Sequence, residues 1–373
     1  MKATRTSVTA SAVVVLALVA ASCGSDSAEE VSDEADSAEE VADTVAAEAE
    51  EVADTVAAEA EEVADEATEP AESDGEPMKI GLVAPSASND LAWTQAMVDS
   101  LNRVAEDREV EIAITDGTFV VEDAGAAIRG YAEDDFDLVI AHGTQYGGPL
   151  QEIAADFPDV SFAIGTSDDF FGLDNIFAYS VDAGQGGYVN GVMAAQLTES
   201  NNIGVVGPVP AGDAKLYIDG FVAGVEAQDP GVEVNVNYID SFSDVLLASE
   251  AAKALVGAGA DVLTGSAQMV VGATGVAAEE GIPWLGSQSN QTGLGEDVVV
   301  VSVVYHWEGL LNDVLDKIET GTLGGEAVSI SVTGGGLELE FNDGFALDAE
   351  IRASAETTIA GIDDGSIVVP AGE

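Results

Sequence analysis

The sequence predicts an α/β fold with two doubly wound parallel-sheet lobes, and three observations support this prediction. From residue 78 onward, short apolar runs alternate with helical stretches, which is the pattern of a parallel sheet covered on both faces. The alternation continues long enough to build two such sheets. Hydrophobic residues make up 47% of the 373 residues and aromatic residues 6%, with 41 glycines, a profile typical of Ala/Val/Gly-rich α/β proteins.

The first 22 residues predict a lipoprotein signal peptide. Lys2 and Arg5 precede an apolar run over residues 10–21, which is too short to span a bilayer and has the length of a signal-peptide core. Small residues then precede Cys23, the only cysteine of the chain, and this arrangement resembles a bacterial lipobox. The resemblance implies a lipid on Cys23 that anchors the protein to the extracytoplasmic face of the cell membrane, or in the periplasm if the envelope has two membranes. A free cysteine inside an ordinary signal peptide is the alternative.

Residues 23–77 predict a lipidated cysteine followed by an acidic tether. Residues 24–77 contain 22 acidic residues and no basic ones, and an eleven-residue unit that starts at Glu39 repeats at Glu50. An eleven-residue period corresponds to about 3.67 residues per turn, which a helix holds with little supercoil. A weak coiled coil and a solvated spacer both fit this pattern, and either would hold the following domain clear of the membrane.

The remaining elements follow in order along the chain. In the first half, strands are expected at 79–84, 109–115, 136–141, 160–164 and 175–181, with the first helix at 91–106. A helix at 187–198 leads to the second half, where strands are expected at 203–206, 232–239, 261–264 and 282–285. Helices at 213–227, 244–257 and 269–280 separate them. Ligands bind beyond the carboxyl ends of such strands, so the loops there are the expected site.

Charge and motifs exclude several function classes. The residues from 78 to the end include 48 acidic and 8 basic ones, a net charge of −40. Nucleic acid and anionic membrane surfaces would repel such a domain, so neither is an expected partner. The acids are spread along the chain, which favours a saline habitat over a cationic ligand.

We find no nucleotide-binding, hydrolase or metalloprotease motif, and two histidines without ligand spacing do not indicate a metal. The sequence therefore predicts a binding protein without cofactor, not an enzyme.

Several segments resemble the basic membrane protein family, which are lipoprotein solute receptors of ABC importers that include purine nucleoside receptors. The resemblance covers about Met78 to Pro370 and is carried by the order and spacing of residues 79–95, 154–164, 187–195, 240–244, 259–263 and 363–370. It implies a type I periplasmic-binding-protein fold, with a small-molecule ligand between two lobes and ABC permease subunits as partners. It also implies three hinge crossings near Ala183, Tyr305 and Thr333. Lobe 1 would then comprise residues 78–183 plus 305–333, and lobe 2 residues 184–304 plus 334–373.

The same resemblance identifies candidate ligand contacts. It assigns ring stacking to Trp93 and Phe242, for which a place in the core is the alternative. Asp90 aligns with an acid near the family's ligand, but both Asp90 and Asp244 precede helices and also fit N-terminal caps. The other candidates are side chains that can form hydrogen bonds at expected cleft positions: Thr94, His142, Tyr146, Gln268, Gln288 and Tyr305.

Three of these candidates depart from the nucleoside receptors. Gln288 stands where they carry an Asp, Tyr305 where they carry a Lys, and Thr94 where they carry an Asn. An Asp that accepts hydrogen bonds from two ribose hydroxyls makes charge-assisted contacts, which a neutral Gln cannot reproduce. The expected ligand is therefore aromatic or heterocyclic, nucleoside- or nucleobase-like. The alternative function is a sensory or structural surface lipoprotein that feeds no transporter.

Overall fold

The computed structural model describes residues 77–370. The expected signal peptide, Cys23 and the acidic tether up to residue 76 lie outside the described residues, so these remain predictions. Within residues 77–370 the chain forms twelve strands and nine α-helices, arranged around two six-stranded sheets.

The first sheet is wholly parallel, with the order β11-β5-β4-β3-β1-β2. Its strands are β1 (Met78–Val83), β2 (Val110–Thr115), β3 (Leu138–Ala141), β4 (Ser161–Gly165), β5 (Ile176–Val181) and β11 (Glu326–Ile330). The helices that accompany it are α1 (Trp93–Asp107), α2 (Val121–Glu133), α3 (Gly147–Asp156) and α8 (Glu308–Glu319). Strands β3 and β4 are buried along their whole length, as their continuous apolar sequences require.

The second sheet has the order β12-β10-β9-β8-β6-β7 and is parallel except for β12. Its strands are β6 (Asn202–Gly207), β7 (Glu233–Tyr238), β8 (Val262–Gly265), β9 (Trp284–Gln288), β10 (Val299–Tyr305) and β12 (Leu337–Phe341). Its helices are α4 (Ala183–Leu197), α5 (Gly212–Gln228), α6 (Val245–Gly257), α7 (Val270–Glu280) and α9 (Ala349–Asp363).

The structure confirms the two-lobe α/β fold and adds three strands to those expected: β11 in the first sheet, and β10 and β12 in the second. The chain passes between the sheets after β5, after β10 and between β11 and β12. Each sixth strand, β11 or β12, comes from the C-terminal part of the chain. Both were missed because Glu326 in one and Glu338 and Glu340 in the other interrupt the apolar pattern, as is usual for edge strands.

Helices α4 and α5 pack so closely that their backbones touch. A Cβ atom placed on Gly187 or Gly191 of α4 would lie 2.0–2.1 Å from a carbonyl oxygen of α5. A Cβ atom on Gly220 or Gly224 of α5 would lie equally close to a carbonyl oxygen of α4. Only glycine permits this approach, which explains why four glycines recur at intervals of four residues on the two helices.

The crossing after β10 carries a cluster of charged side chains. The ring of His306 lies 3.4 Å from the Glu308 carboxylate on α8 and 3.6 Å from the Glu340 carboxylate on β12. Arg103 on α1 pairs with the same Glu308. The neighbouring carboxylates of Glu308 and Glu340 raise the pKa of His306 to about 9, so the imidazole is charged at neutral pH and links elements of both sheets.

Candidate functional site

A cavity of about 470 Å³ lies between the two lobes, at the carboxyl ends of β1, β3, β4, β6, β8 and β9. This is where doubly wound sheets bind ligands. The lining from the first lobe is Pro85, Trp93, Phe119, Gly143, Thr144, Gln145 and Thr166. The lining from the second lobe is Val209, Ala211, Gly212, Asp213, Ala214, Phe242, Ala267, Gln268 and Gln288. Its volume falls in the range of small-molecule sites.

Trp93 and His142 form an interlocked pair at one wall of this cavity. Their rings are stacked with centroids 4.2 Å apart and planes 6° from parallel. The indole Nε1–H of Trp93 donates to the backbone carbonyl of His142 at 3.1 Å, and His142 Nε2 lies 3.1 Å from the backbone carbonyl of Trp93. Trp93 is 6% exposed and His142 is fully buried. The indole therefore belongs to the core and to the cavity wall at once.

The hydrogen bonds of His142 determine its protonation state. Because a carbonyl oxygen only accepts, Nε2 must carry the proton that is donated to Trp93, and Nδ1 accepts from the Tyr179 hydroxyl at 2.6 Å. Burial lowers the pKa of His142 to about 3, so the ring is neutral at pH 7. A neutral His142 supports Trp93 without placing a charge behind the cavity.

Two phenylalanines bring exposed aromatic surface to the cavity. Phe119 on the first lobe is 42% exposed, and Phe242 on the second is 38% exposed. A buried aromatic side chain packs in the core and needs no ligand to explain it. A partly exposed aromatic side chain that lines a cavity has ring surface available for a ligand. The cavity therefore has aromatic groups on both lobes.

Asp213 and Gln288 form the most polar part of the lining. Gln288 Nε2 donates to Asp213 Oδ2 at 2.9 Å, and its Oε1 accepts from the backbone N–H of Ala267 at 3.2 Å. Burial raises the pKa of Asp213, and the hydrogen bond from Gln288 opposes this effect. Ala267 and Gln288 have φ angles of 77° and 72°, a left-handed conformation that costs about 1–3 kcal/mol for a non-glycine residue. The two strand ends are thus held in a strained geometry that fixes the Gln288 amide.

Hydrogen bonds also join the two lobes directly. Gln268 Nε2 donates to Ser86 Oγ at 3.2 Å, Ser289 Oγ donates to the Ala92 carbonyl at 2.8 Å, and Gln291 Nε2 donates to the Leu91 carbonyl at 3.2 Å. All three donors belong to the second lobe, and all three acceptors lie in the segment between β1 and α1. The second lobe therefore forms hydrogen bonds with one short segment of the first lobe, residues 86–92.

Of the predicted ligand contacts, Trp93, Phe242, Gln268 and Gln288 line the cavity. Asp90 and Asp244 do not line the cavity. Both instead accept hydrogen bonds at helix N-termini, which was the alternative interpretation of these two residues. Asp90 accepts hydrogen bonds from the Ser86 hydroxyl and from the backbone N–H groups of Ala92, Thr94 and Gln95 at the start of α1. Asp244 accepts from the N–H of Leu247 in the first turn of α6. The role of these carboxylates is to satisfy helix N-termini.

Four further candidates lie behind the cavity wall. Thr94, His142, Tyr146 and Tyr305 are each fully buried, and none is among the lining residues. The Thr94 hydroxyl bonds Ser86 at 2.8 Å, and the Tyr146 hydroxyl donates to the Thr118 carbonyl at 2.8 Å. These four side chains therefore do not line the cavity, and ligand contact by them stays a prediction. They followed strands or began a helix as expected, but their side chains point into the protein.

The sequence reasoning missed the acid of the cavity. Asp213 and Phe119 fall in loops that were expected to face the cleft, but neither was singled out. Asp213 lies in the first turn of α5, and an acid at a helix start is also what an N-terminal cap looks like in sequence, so sequence alone could not separate a capping role from a place in the cavity. Its proximity to Gln288, 75 residues later, could be found only in the structure.

Comparison with known proteins places the chain in a family. The profile of the Bmp family, described as PnrA-like ABC transporter substrate-binding proteins, matches residues 78–364. A purine-binding protein from Brucella abortus is 28% identical over 251 residues, covering 66% of this chain and 70% of that protein. The transcriptional activator protein Med from Bacillus subtilis is 25% identical over 253 residues, covering 67% and 78%.

Solved structures support the same fold. A solute-binding protein of an ABC transporter system from Conexibacter woesei superposes with a TM-score of 0.68 at 23% identity, covering 79% of this chain and 99% of that chain. No helix within residues 77–370 has the length and apolar character needed to cross a bilayer. The family match extends over both sheets and the cavity between them, and the chain therefore belongs to the Bmp family of PnrA-like ABC transporter substrate-binding proteins.

Proposed function

We propose that this protein delivers a flat heterocyclic solute, nucleoside- or nucleobase-like, to the permease subunits of an ABC importer. The observation that carries the proposal is the composition of the cavity between the lobes. Three aromatic residues, Trp93, Phe119 and Phe242, share the lining with glutamines and threonines, and stacking of a base on an aromatic ring contributes about 1–3 kcal/mol. The purine-binding relative from Brucella abortus supports the same ligand class.

The ligand proposal can be tested on the purified full chain. Small molecules released from the protein by denaturation would be identified by mass spectrometry, and inosine, guanosine, adenosine and the corresponding bases would then be titrated calorimetrically. We expect one of these to bind with a dissociation constant in the micromolar range or below. Arabinose and glucose serve as controls without an aromatic ring, and binding of these sugars alone would contradict the proposal.

The membrane location rests on Cys23, which lies outside the described residues. We propose that a lipid on this cysteine holds the protein on the extracytoplasmic face of the cell membrane. Cys23→Ser should release the protein from the membrane fraction into the soluble fraction, measured by quantitative immunoblotting. Ser22→Ala, which keeps a small residue before the cysteine, should leave the distribution unchanged. A Cys23→Ser protein that stays with the membranes would contradict lipid anchoring.

A further inference from the structure

The cavity between the lobes is nearly free of charge in a strongly acidic domain. Among its sixteen lining residues, Asp213 is the one with an acidic side chain, and no lysine, arginine or histidine lines the cavity. The domain as a whole has 48 acidic and 8 basic residues. An acid that is present only because acids are common would lie on the outer surface, whereas Asp213 is partly buried and paired with a residue of another strand.

The carboxylate is held in place by several groups of its own lobe. It lies in the first turn of α5, where the positive end of the helix dipole favours a negative charge. Gln288 donates one hydrogen bond to Oδ2, and Tyr305 is a further neighbour of the same carboxyl group. These contacts favour the ionised form of the carboxyl group and oppose the effect of burial, which raises the pKa of Asp213. A carboxylate offers about four acceptor positions, so it can still accept from a bound molecule.

We propose that Asp213 determines the specificity of the cavity by accepting a hydrogen bond from a hydroxyl or N–H group of the ligand and by excluding ligands with a net negative charge. This inference rests on the proposed function and narrows it to the substrate class. The neutral nucleoside or base binds, and its phosphorylated form does not, because the lining offers no cation to balance a phosphate. Gln288 positions the carboxylate, and its amide is held in turn by the N–H of Ala267.

The test compares inosine with inosine 5′-monophosphate, which share base and sugar and differ by the phosphate. Affinities are measured by calorimetry on the full-length protein and on Asp213→Asn, Asp213→Glu and Glu226→Gln. Glu226 is an exposed acid on the same helix and does not line the cavity, so its substitution changes the net charge equally. Melting temperatures show whether each variant is folded.

We expect the wild-type protein to bind inosine and to bind the monophosphate at least 100-fold more weakly. Asp213→Asn should weaken inosine binding about 10- to 100-fold, as expected when a hydrogen bond to a charged group is lost. It should also reduce the discrimination against the monophosphate about ten-fold, because one repulsive charge is removed. Asp213→Glu should keep the discrimination, and Glu226→Gln should change neither value.

The outcomes separate the two proposals. If the wild-type protein and Asp213→Asn bind inosine equally, or if the discrimination is the same in both, the role of Asp213 is wrong while the heterocyclic ligand stands. If the wild-type protein binds the monophosphate better than inosine, the charge argument is wrong. If it binds neither compound, the nucleoside proposal fails, and the inference about Asp213 fails with it.

Discussion

At the scale of single residues, Trp93 shows how one side chain can belong to both the core and the binding cavity. It packs against His142 on one face, and the rings of Tyr305 and Trp307 meet it at nearly right angles. Its substitution by a small residue would therefore reduce stability and affinity together. Truncating a buried Trp to Ala costs about 3–5 kcal/mol, so this variant cannot isolate ligand stacking.

Phe242 is the better probe of stacking because it is partly exposed. Phe242→Ala should weaken binding of the proposed heterocyclic ligand by about 1–3 kcal/mol, five- to 150-fold in dissociation constant, and should leave the melting temperature nearly unchanged. Leu246→Ala is a suitable control, since Leu246 is 69% exposed on the adjacent helix α6 and does not line the cavity. Titration calorimetry measures the first effect and thermal unfolding the second. Unchanged affinity in Phe242→Ala would exclude stacking on this ring.

The sequence could locate the cleft loops but could not say which side chains point into them. Asp90, Asp213 and Asp244 all lie at helix starts, yet only Asp213 lines the cavity. The difference depends on the direction of each side chain and on partners far away in the chain, which local pattern does not encode. His142 likewise follows a strand at the expected edge, but stacking on Trp93 turns it away from the cavity.

At the scale of elements, the contact between α4 and α5 fixes how the second lobe is assembled. Asn190 on α4 donates to the Tyr217 hydroxyl on α5 and to the Gly286 carbonyl on β9. The close approach of the helices allows a single buried side chain to connect three elements. Because α5 begins beside Asp213, this packing also sets the position of the cavity acid.

A methyl group between these helices should be destabilising. In Gly220→Ala the new Cβ would meet the Gly184 carbonyl oxygen at 2.0 Å, which forces the helices apart, and we expect a loss of about 1–3 kcal/mol or more in the free energy of unfolding. Gly130→Ala on α2 is the matched control. No atom lies within 4 Å of the position that its methyl group would take, and the substitution should stabilise the helix by about 0.5–1 kcal/mol. Urea denaturation distinguishes these results, and equal effects would contradict the packing argument.

The crossing that contains His306 should make stability depend on alkaline pH. The folded-state pKa of about 9 exceeds the unfolded value of 6.5, so the charged imidazole stabilises the fold fully below pH 6.5. This contribution is lost as pH rises from 6.5 through 9. Thermal unfolding between pH 6 and 10 should therefore show a decline that His306→Gln lacks. Parallel curves for the two proteins would indicate that the ring is not protonated between Glu308 and Glu340.

Several elements were predictable from the sequence, but β10, which is apolar except for Ser302 and is buried along its whole length, was not identified. Strands β3 and β4 and helix α6 lie within a residue or two of their expected positions, since each has a continuous buried run or a clear N-terminal cap. The edge strands β11 and β12 were not predictable in this way. Glu326 in β11 and the alternating Glu338 and Glu340 in β12 interrupt the apolar pattern, and the crossover that joins the two strands to different sheets is set by tertiary contacts.

At the scale of the whole molecule, charge is the dominant feature. Even if every one of the 8 basic residues of the domain were paired, most of its 48 acids would face only other acids and water. The described ion pairs, such as Arg108 with Asp316 and Glu319, lie near the surface and contribute little individually. The folded domain therefore concentrates negative charge that the unfolded chain spreads out.

Salt should relieve this repulsion. The melting temperature should rise between dilute buffer and about 1 M sodium chloride, where the Debye length is about 3 Å. The comparison should be repeated in potassium chloride at equal ionic strength, because simple screening does not depend on the cation. A melting temperature that is constant or falls with salt would contradict the repulsion argument and the saline habitat that it favours.

The three hydrogen bonds between the lobes have a consequence for the speed of ligand exchange. Gln268, Ser289 and Gln291 tie the second lobe to residues 86–92 of the first, so the lobes can move apart only after these bonds break. Each bond adds to the barrier for separating the lobes, so we expect the residence time of a bound molecule to depend on Ser289 and Gln291, which do not line the cavity. Shortening that residence by Ser289→Ala would leave the stacking surfaces intact while the dissociation rate constant rises. The dissociation rate constant, more than the equilibrium affinity, would then determine how fast the solute is released to a permease.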